Sequence, residues 1–377
     1  MVNRKRIVDE FMELVKIDSL SRQEKQMAAL LIRKLGEMGH SAYEDNAGES
    51  FGGNTGNVFC FIKGDKSVPP VLLTAHMDTV APGVGKKPLL EDGIIKSDGT
   101  TVLGGDDAAG IVSILEVLRV LKEDGIKHGD IQIIFTVGEE CGLLGSKNID
   151  YSRINAVYGF GLDGAGEIGN VTVRGPSQNT MDIVVVGKAA HAGVEPEKGI
   201  SAIQMAAHAI SRMKLGRIDG ETTANIGIIN GGQATNIICE RVSLRAEARS
   251  RDETKLDSQT GHMKECFEQA ALKFGGSIEF MVKREYPAFR IDEGDPILAV
   301  LKNAARNAGV ELVLKATGGG SDINIMNGKG IKCVDLSVGM SAVHSVEEKI
   351  SVADLVKSAE FLAEIIKAME PENGGNH

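Results

Sequence analysis

VLLTAHMDTV, residues 71–80, carries the chain from core to chemistry in one short run. Two prolines precede it, and Val71, Leu72 and Leu73 read as a buried strand. His76 and Asp78 follow at its end. Side chains two apart on extended backbone point the same way, so imidazole and carboxylate share a face. An acidic neighbour fixes the tautomer of a metal-binding histidine. A strand-end histidine in an ordinary hydrogen bond fits this stretch equally well, and the rest of the chain decides between them.

Three further apolar runs end in the same way. Residues 131–137 (IQIIFTV) lead into Gly138-Glu139-Glu140, residues 156–162 into Asp163, and residues 330–338, after a short loop, into His344. Each is of strand length and short for a helix. Between them, LGGDDAAG (103–110) opens the apolar-faced helix of residues 111–124, which puts Asp106 and Asp107 in a loop or first turn. One of these aspartates has a plain role in capping that helix and meeting its positive end. The other is free for chemistry.

Strands alternating with helices predict an α/β fold, a mostly parallel mixed sheet covered by helices on both faces. Sites in such sheets form outside the carboxyl ends of the strands. His76, Glu139, Glu140, Asp163 and His344 each follow a predicted strand, and Asp106 precedes a helix. Strand ends serving only solubility would carry Lys and Ser in these places. Covering helices are expected at residues 4–16 and from Ser21, whose spacing to Glu24 fits a capping box, to near Gly39.

Residues 177–289 read differently, as strand, helix, strand, strand, helix, strand. That order matches a ferredoxin-like α+β module. The strand-helix pattern with His344 resumes only afterwards. The expected organisation is a catalytic domain in two parts, 1–176 and 290–377, with a lid inserted at 177–289.

Composition narrows the functional classes. The 377 residues are 42% hydrophobic and 25% charged, with no Trp and only 4% aromatics, so an aliphatic core is expected. A net charge of -10 argues against binding a phosphate backbone. Cys60, Cys141, Cys239, Cys266 and Cys333 show no C-x-x-C spacing, which points to reduced thiols. Neither a signal-peptide core nor a run of about 18 apolar residues is present, so a cytoplasmic protein without a membrane partner is expected.

Imidazole with carboxylate suits zinc and its neighbours better than calcium or magnesium. Two His and three or four carboxylates exceed the three protein ligands of one catalytic zinc. A pair of cations about 3.5–4 Å apart uses the surplus and lowers the pKa of a water held between them. Glu139 and Glu140, adjacent on extended or irregular backbone, point apart. One can bind metal while the other moves a proton.

Taken together, HMD at 76–78, GGDDAAG at 104–110, GEE at 138–140, LDG at 162–164 and VHS at 343–345, with an insert of this size, resemble the M20 family of dizinc aminopeptidases and carboxypeptidases, and within it the peptidase T or tripeptidase branch. The resemblance covers essentially the whole chain. It implies two Zn2+ ions, with Co2+ or Mn2+ as substitutes, bridged by Asp106. His76 and Asp163 would complete one site, Glu140 and His344 the other. Glu139 would be the general base, Asp78 would orient His76, and the peptide bond Asp106-Asp107 would be cis.

The resemblance also makes the insert a lid that forms a homodimer interface. There His191 (GKAAHAG) would offer an imidazole to the developing oxyanion. Asn236 (GGQATNII) and Arg249 (AEARSRD) would contact substrate and its carboxylate, with Arg251 two residues away on the same face. Gly319, in the GGGS loop of residues 318–321, would line the pocket. Ala108 departs from the pattern, since many relatives carry Lys two residues after the bridging Asp. His40, His128, His208, His262 and His377 match nothing and are expected on helix or loop surfaces. The expected function is hydrolysis of the N-terminal bond of short peptides. An N-acyl amino acid deacylase on the same metals is the sister reading, and an inert binding protein on the same fold is the reading from another class.

Overall fold

Parallel strands in register bring the chemistry to one edge of the sheet. The computed structural model describes residues 1–370, and His377 lies outside them. Val71–His76 runs parallel to Ile131–Thr136 on one side and to Tyr158–Ala165 on the other. Val71 is level with both Ile131 and Tyr158, and His76 with Thr136. Lys332–Met340 adds a fourth parallel strand beside Tyr158–Ala165. Antiparallel strands flank these four. Val58–Ile62 and then Ala42–Glu44 lie beyond Ile131–Thr136, and Asn170–Gly175 beyond Lys332–Met340.

Every residue of Val71–His76 and of Ile131–Thr136 is buried. That is why these strands read as continuous apolar runs rather than alternating ones. The helix Gly105–Glu123 packs on Val71–His76 and Tyr158–Ala165, and Arg4–Leu14 and Val352–Ala368 pack on it in turn. The core is aliphatic with a few phenylalanines, among them Leu73, Ile114, Phe135, Phe160 and Leu362. Tyr158–Ala165 extends past Asp163, so this residue lies within its strand rather than after it.

The capping box expected at Ser21 and Glu24 does not form. The helix begins at Lys25, and Ser21 Oγ instead donates to Asp78 Oδ2 at 2.6 Å. Glu24 Oε1 accepts the N–H groups of Arg22 and Gly138, each at 2.9 Å. Two backbone donors on a buried carboxylate outweigh one local cap, because a buried charge without partners is costly.

The described residues divide into two compact units, the first comprising residues 1–173, 290–316 and 321–370, the second residues 174–289 and 317–320. The second has its own core of Met181, Ile183, Val185, Met205 and Phe267. Its sheet is antiparallel, in the order Thr222–Gly231, Arg241–Ser250, Ser177–Val186, Ser277–Tyr286, with Gly216–Arg217 added at the edge. Ala202–Ile210 and Glu253–Phe274 pack against it. Ser177–Val186 alternates between buried and more open positions, the pattern of an antiparallel strand covered on one face.

Thr317–Gly320 falls in this second unit, whereas a boundary at residue 290 gives it to the catalytic part. Thr317 donates its N–H to Arg174 O at 2.9 Å and accepts from Arg251 Nη1 at 3.1 Å. Gly320 lies so close to Tyr286 that a Cβ would fall 2.1 Å from Cζ of the ring. Among the described residues no helix is long and apolar enough to cross a membrane.

Candidate metal centre

His76 ends its strand with a side chain 2% exposed. Its Nε2 lies 2.9 Å from Asp106 Oδ1 and 3.6 Å from Asp163 Oδ1. The other ring nitrogen, Nδ1, is 2.9 Å from the backbone carbonyl of Asp78 and 3.6 Å from its carboxylate. The carbonyl is therefore the nearer partner of the ring. The Asp78 carboxylate accepts the N–H groups of Glu139 at 3.0 Å and Glu140 at 3.2 Å. One residue thus touches both the ring and the turn that follows the neighbouring strand.

Asp106 and Asp107 lie in the first turn of Gly105–Glu123 with non-helical backbone, and the bond between them is cis. They divide their work. Asp107 Oδ1 accepts the N–H of Gly110 at 3.0 Å and Oδ2 that of His76 at 3.1 Å, so it caps the helix and ties it to the strand. Asp106 faces the imidazoles instead, with Oδ2 lying 3.2 Å from His344 Nε2. His344, whose loop backbone is left-handed with φ 61, also meets Glu140 Oε1 at 2.8 Å.

Among the described residues, two groups have ligand atoms close enough to share a cation: His76 with Asp106 and Glu140, and His76 with Asp107 and Asp163. The ion-pair partners of this carboxylate cluster are the imidazoles of His76 and His344. Burial would raise the Asp106 carboxyl, but the hydrogen bonds of His344 and His76 carry it well below the usual range. Asp163 goes the other way. Burial, and then the charge of Asp106, push it well above the ordinary value. Burial followed by Asp163 does the same to Glu139. Hydrogen bonds to Asp106 and Glu140 lift His344 to about 10. So many buried carboxyl groups, with oxygen and imidazole donors converging, fit divalent cations of the zinc type.

The sequence profile of Peptidase family M20/M25/M40 matches residues 72–368. The chain belongs to peptidase family M20. The protein YqjE of Bacillus subtilis (strain 168) is 47% identical over 97% of this chain and 99% of its own. Among solved structures, aminopeptidase PepT of Bacillus cereus ATCC 10987 is similar at 46% identity and TM-score 0.91, and a tripeptidase of Staphylococcus aureus at 41% identity and TM-score 0.94. Each match covers 98% of this chain and 99% of the other. The fold and family are those of peptidase T-like M20 metallopeptidases, with candidate ligands for a dinuclear site.

The second unit of this M20 peptidase holds the other sequence candidates. His191 and Asn236 are neighbours there: His191 bridges to Ile237, and Ala192 donates its N–H to Asn236 O at 2.9 Å. Arg249 is engaged by Glu247, which accepts from Nε and Nη2 at 3.0 Å each. Arg251 donates to the carbonyls of Thr317 and Gly220. Gly319 donates its N–H to Thr317 Oγ1 at 3.0 Å in an exposed loop.

Several buried carboxylates around the centre escaped the sequence reading. Asp335 Oδ1 accepts the N–H of Asp163 at 3.0 Å, and burial pushes its carboxyl up to about 7. A charge inside the apolar run KCVDLSV was the available signal. Asp322 accepts from Thr136 Oγ1. Its position directly after GGGS gives no such signal, because a polar residue after a glycine turn is ordinary.

Proposed function

We propose that the chain is a metal-dependent aminopeptidase that releases the N-terminal residue of short peptides, tripeptides among them. The observation that carries this reading is the meeting of His76, Asp106, Glu140, Asp163 and His344 at one sheet edge, in a chain closely similar to an aminopeptidase and a tripeptidase. Asp106 turns one oxygen to each imidazole, and it would be the carboxylate shared by both cations. His76 and Asp163 would hold one Zn2+, Glu140 and His344 the other, with Co2+ or Mn2+ as substitutes. When bound, such cations acidify water and polarise a carbonyl.

Glu139 is the proton carrier in this reading. Its carboxyl, buried beside the ligand Glu140, would take a proton from the attacking water and deliver it to the amine nitrogen of the leaving peptide. Asp78 holds the backbone of Glu139 and Glu140 and supports the His76 ring, so acid–base group and ligands keep their spacing. In the second unit, His191 would donate to the developing oxyanion and Asn236 would contact substrate. Arg249 would bind the substrate carboxylate bidentately, sharing its guanidinium with Glu247. Gly319 would contribute backbone to the pocket. The second unit would also pair two copies of the chain, an assignment that sedimentation tests.

The experiment is hydrolysis of tri-alanine beside N-acetyl-alanine, with Zn2+, Co2+ or Mn2+ supplied. Release of free alanine from the tripeptide is expected. Turnover of the acetylated amino acid alone would make the chain a deacylase, and no turnover with any metal would return it to a binding role.

A further inference from the structure

One more buried carboxylate touches the segments that carry candidate ligands, and it belongs to neither group of candidate ligands. Glu348 is 1% exposed. Its Oε2 accepts the N–H of Gly104 and its Oε1 the N–H of Asp106, each at 2.9 Å. A Cβ on Gly105 would stand 3.0 Å from Oε1, so a side chain there would crowd the carboxylate.

The main chain of Glu348 closes a second segment. Its N–H donates to Ser345 O at 3.2 Å, and the following Lys349 exchanges hydrogen bonds with Ser341 at 3.0 and 3.1 Å. Ser97 donates its N–H to Glu348 O at 3.1 Å. His344 sits inside this loop, where Ala342 and His344 both hold left-handed backbone, φ 54 and 61. Glu348 is thus bonded by its side chain to the turn that presents Asp106, and by its backbone to the loop that presents His344.

A carboxylate is a costly way to fill a core, since a charge taken from water must be repaid by its partners. Two backbone amides hold this one in a fixed direction, and one of them belongs to Asp106. We propose that Glu348 is a positioning residue for the cation shared by Asp106, Glu140 and His344. It sets the backbone of Asp106 against that of His344, and that cation is the one weakened when the clamp is removed. The inference rests on the ligand assignment above.

The test is calorimetric titration of the metal-free protein with Co2+, together with tri-alanine kinetics, for the wild type, Glu348→Gln, Glu348→Asp and the exposed control Glu347→Gln. Glutamine replaces one acceptor oxygen with an amide donor that faces an N–H. Wild type and Glu347→Gln should take up two cations alike. Glu348→Gln should bind one as before and the other about 10- to 100-fold more weakly, with kcat reduced and KM within about twofold. Its metal-free form should melt with the wild type. Glu348→Asp, with both oxygens on a shorter stem, should recover part of the lost affinity.

Undiminished affinity for both cations in Glu348→Gln, or equal weakening of the two, overturns the proposal. If Glu348→Gln does not fold, Glu348→Asp decides: selective loss of one cation supports the clamp, and wild-type uptake of both overturns it. A wild type that takes up no cation overturns the ligand assignment and the clamp with it.

Discussion

Glu140 and His344 stand 204 residues apart in sequence and 2.8 Å apart in space, Oε1 to Nε2. One follows the Ile131–Thr136 strand and the other the Lys332–Met340 strand. Two strands, Val71–His76 and Tyr158–Ala165, separate these in the sheet. The pair closes over Asp106, which enters from the start of a helix. Contact between such distant residues depends on parallel strands ending level.

Glu139, by contrast, is absent from both groups of candidate ligands. Its neighbour Glu140 supplies the ligand oxygen, and both amides hang on the Asp78 carboxylate. Glu139→Gln should therefore lower kcat on tri-alanine by about 10²- to 10⁴-fold, the usual worth of a positioned proton carrier. Metal content by elemental analysis should stay at the wild-type level. Joint loss of metal and activity would exchange the roles assigned to Glu139 and Glu140.

His344 gives the metal-free protein a defined pH response. Its pKa rises from 6.5 to about 10 through hydrogen bonds to Asp106 and Glu140. A raised folded-state value contributes stability that is complete below about 6.5 and lost as pH climbs toward 10. In chelator-treated samples, the difference in melting temperature between wild type and His344→Ala should shrink across that window. Metal needs the neutral ring, so cation uptake near neutral pH should release protons, and His344→Ala should release fewer. Proton release unchanged by the substitution would remove His344 from the ligand set.

Much of this geometry was legible because buried parallel strands leave a plain mark, an apolar run with a break at its end. His76, Glu139, Glu140 and His344 all sit at such breaks, and the helix after Asp106 announces itself by its apolar face. Asp163 was legible too, although its strand runs on past it. What stayed hidden was the layer behind the ligands. Glu24 looked like a capping residue, and nothing in the spacing around His344 singles out Glu348. Their partners are backbone N–H groups on distant loops. Backbone donors have no sequence signature, so no periodicity or spacing reveals who accepts from them.

Gly161 is a place where packing and ligand geometry are joined. It pairs with Thr74 inside the sheet, and a Cβ there would lie 2.8 Å from Ile323 Cγ2 and 3.0 Å from Asp335 Oδ1. Gly161→Ala should push Asp335 off the Asp163 N–H and cost about 1–3 kcal/mol of stability, the usual penalty of overpacking. Urea unfolding measures the cost, and metal titration measures the damage at Asp163. A variant as stable and as metal-avid as the wild type would show that Ile323 and Asp335 yield without moving Asp163.

Asp78 carries the sharpest separation between holding metal and moving a proton. Its carboxylate accepts from Glu139, Glu140 and Ser21, while the bond to the His76 ring runs mainly through its backbone carbonyl, which a side-chain substitution leaves in place. In Asp78→Asn one oxygen becomes an amide donor aimed at an N–H, so the turn bearing Glu139 loosens while the His76 ring keeps its nearer partner. We expect kcat to fall about 10- to 100-fold, with the cation beside His76 and Asp163 retained and KM little changed. Ser21→Ala removes only one of the three donors and should lie between Asp78→Asn and the wild type. Loss of the His76 cation in Asp78→Asn would show instead that the carboxylate 3.6 Å from Nδ1 orients the ring after all.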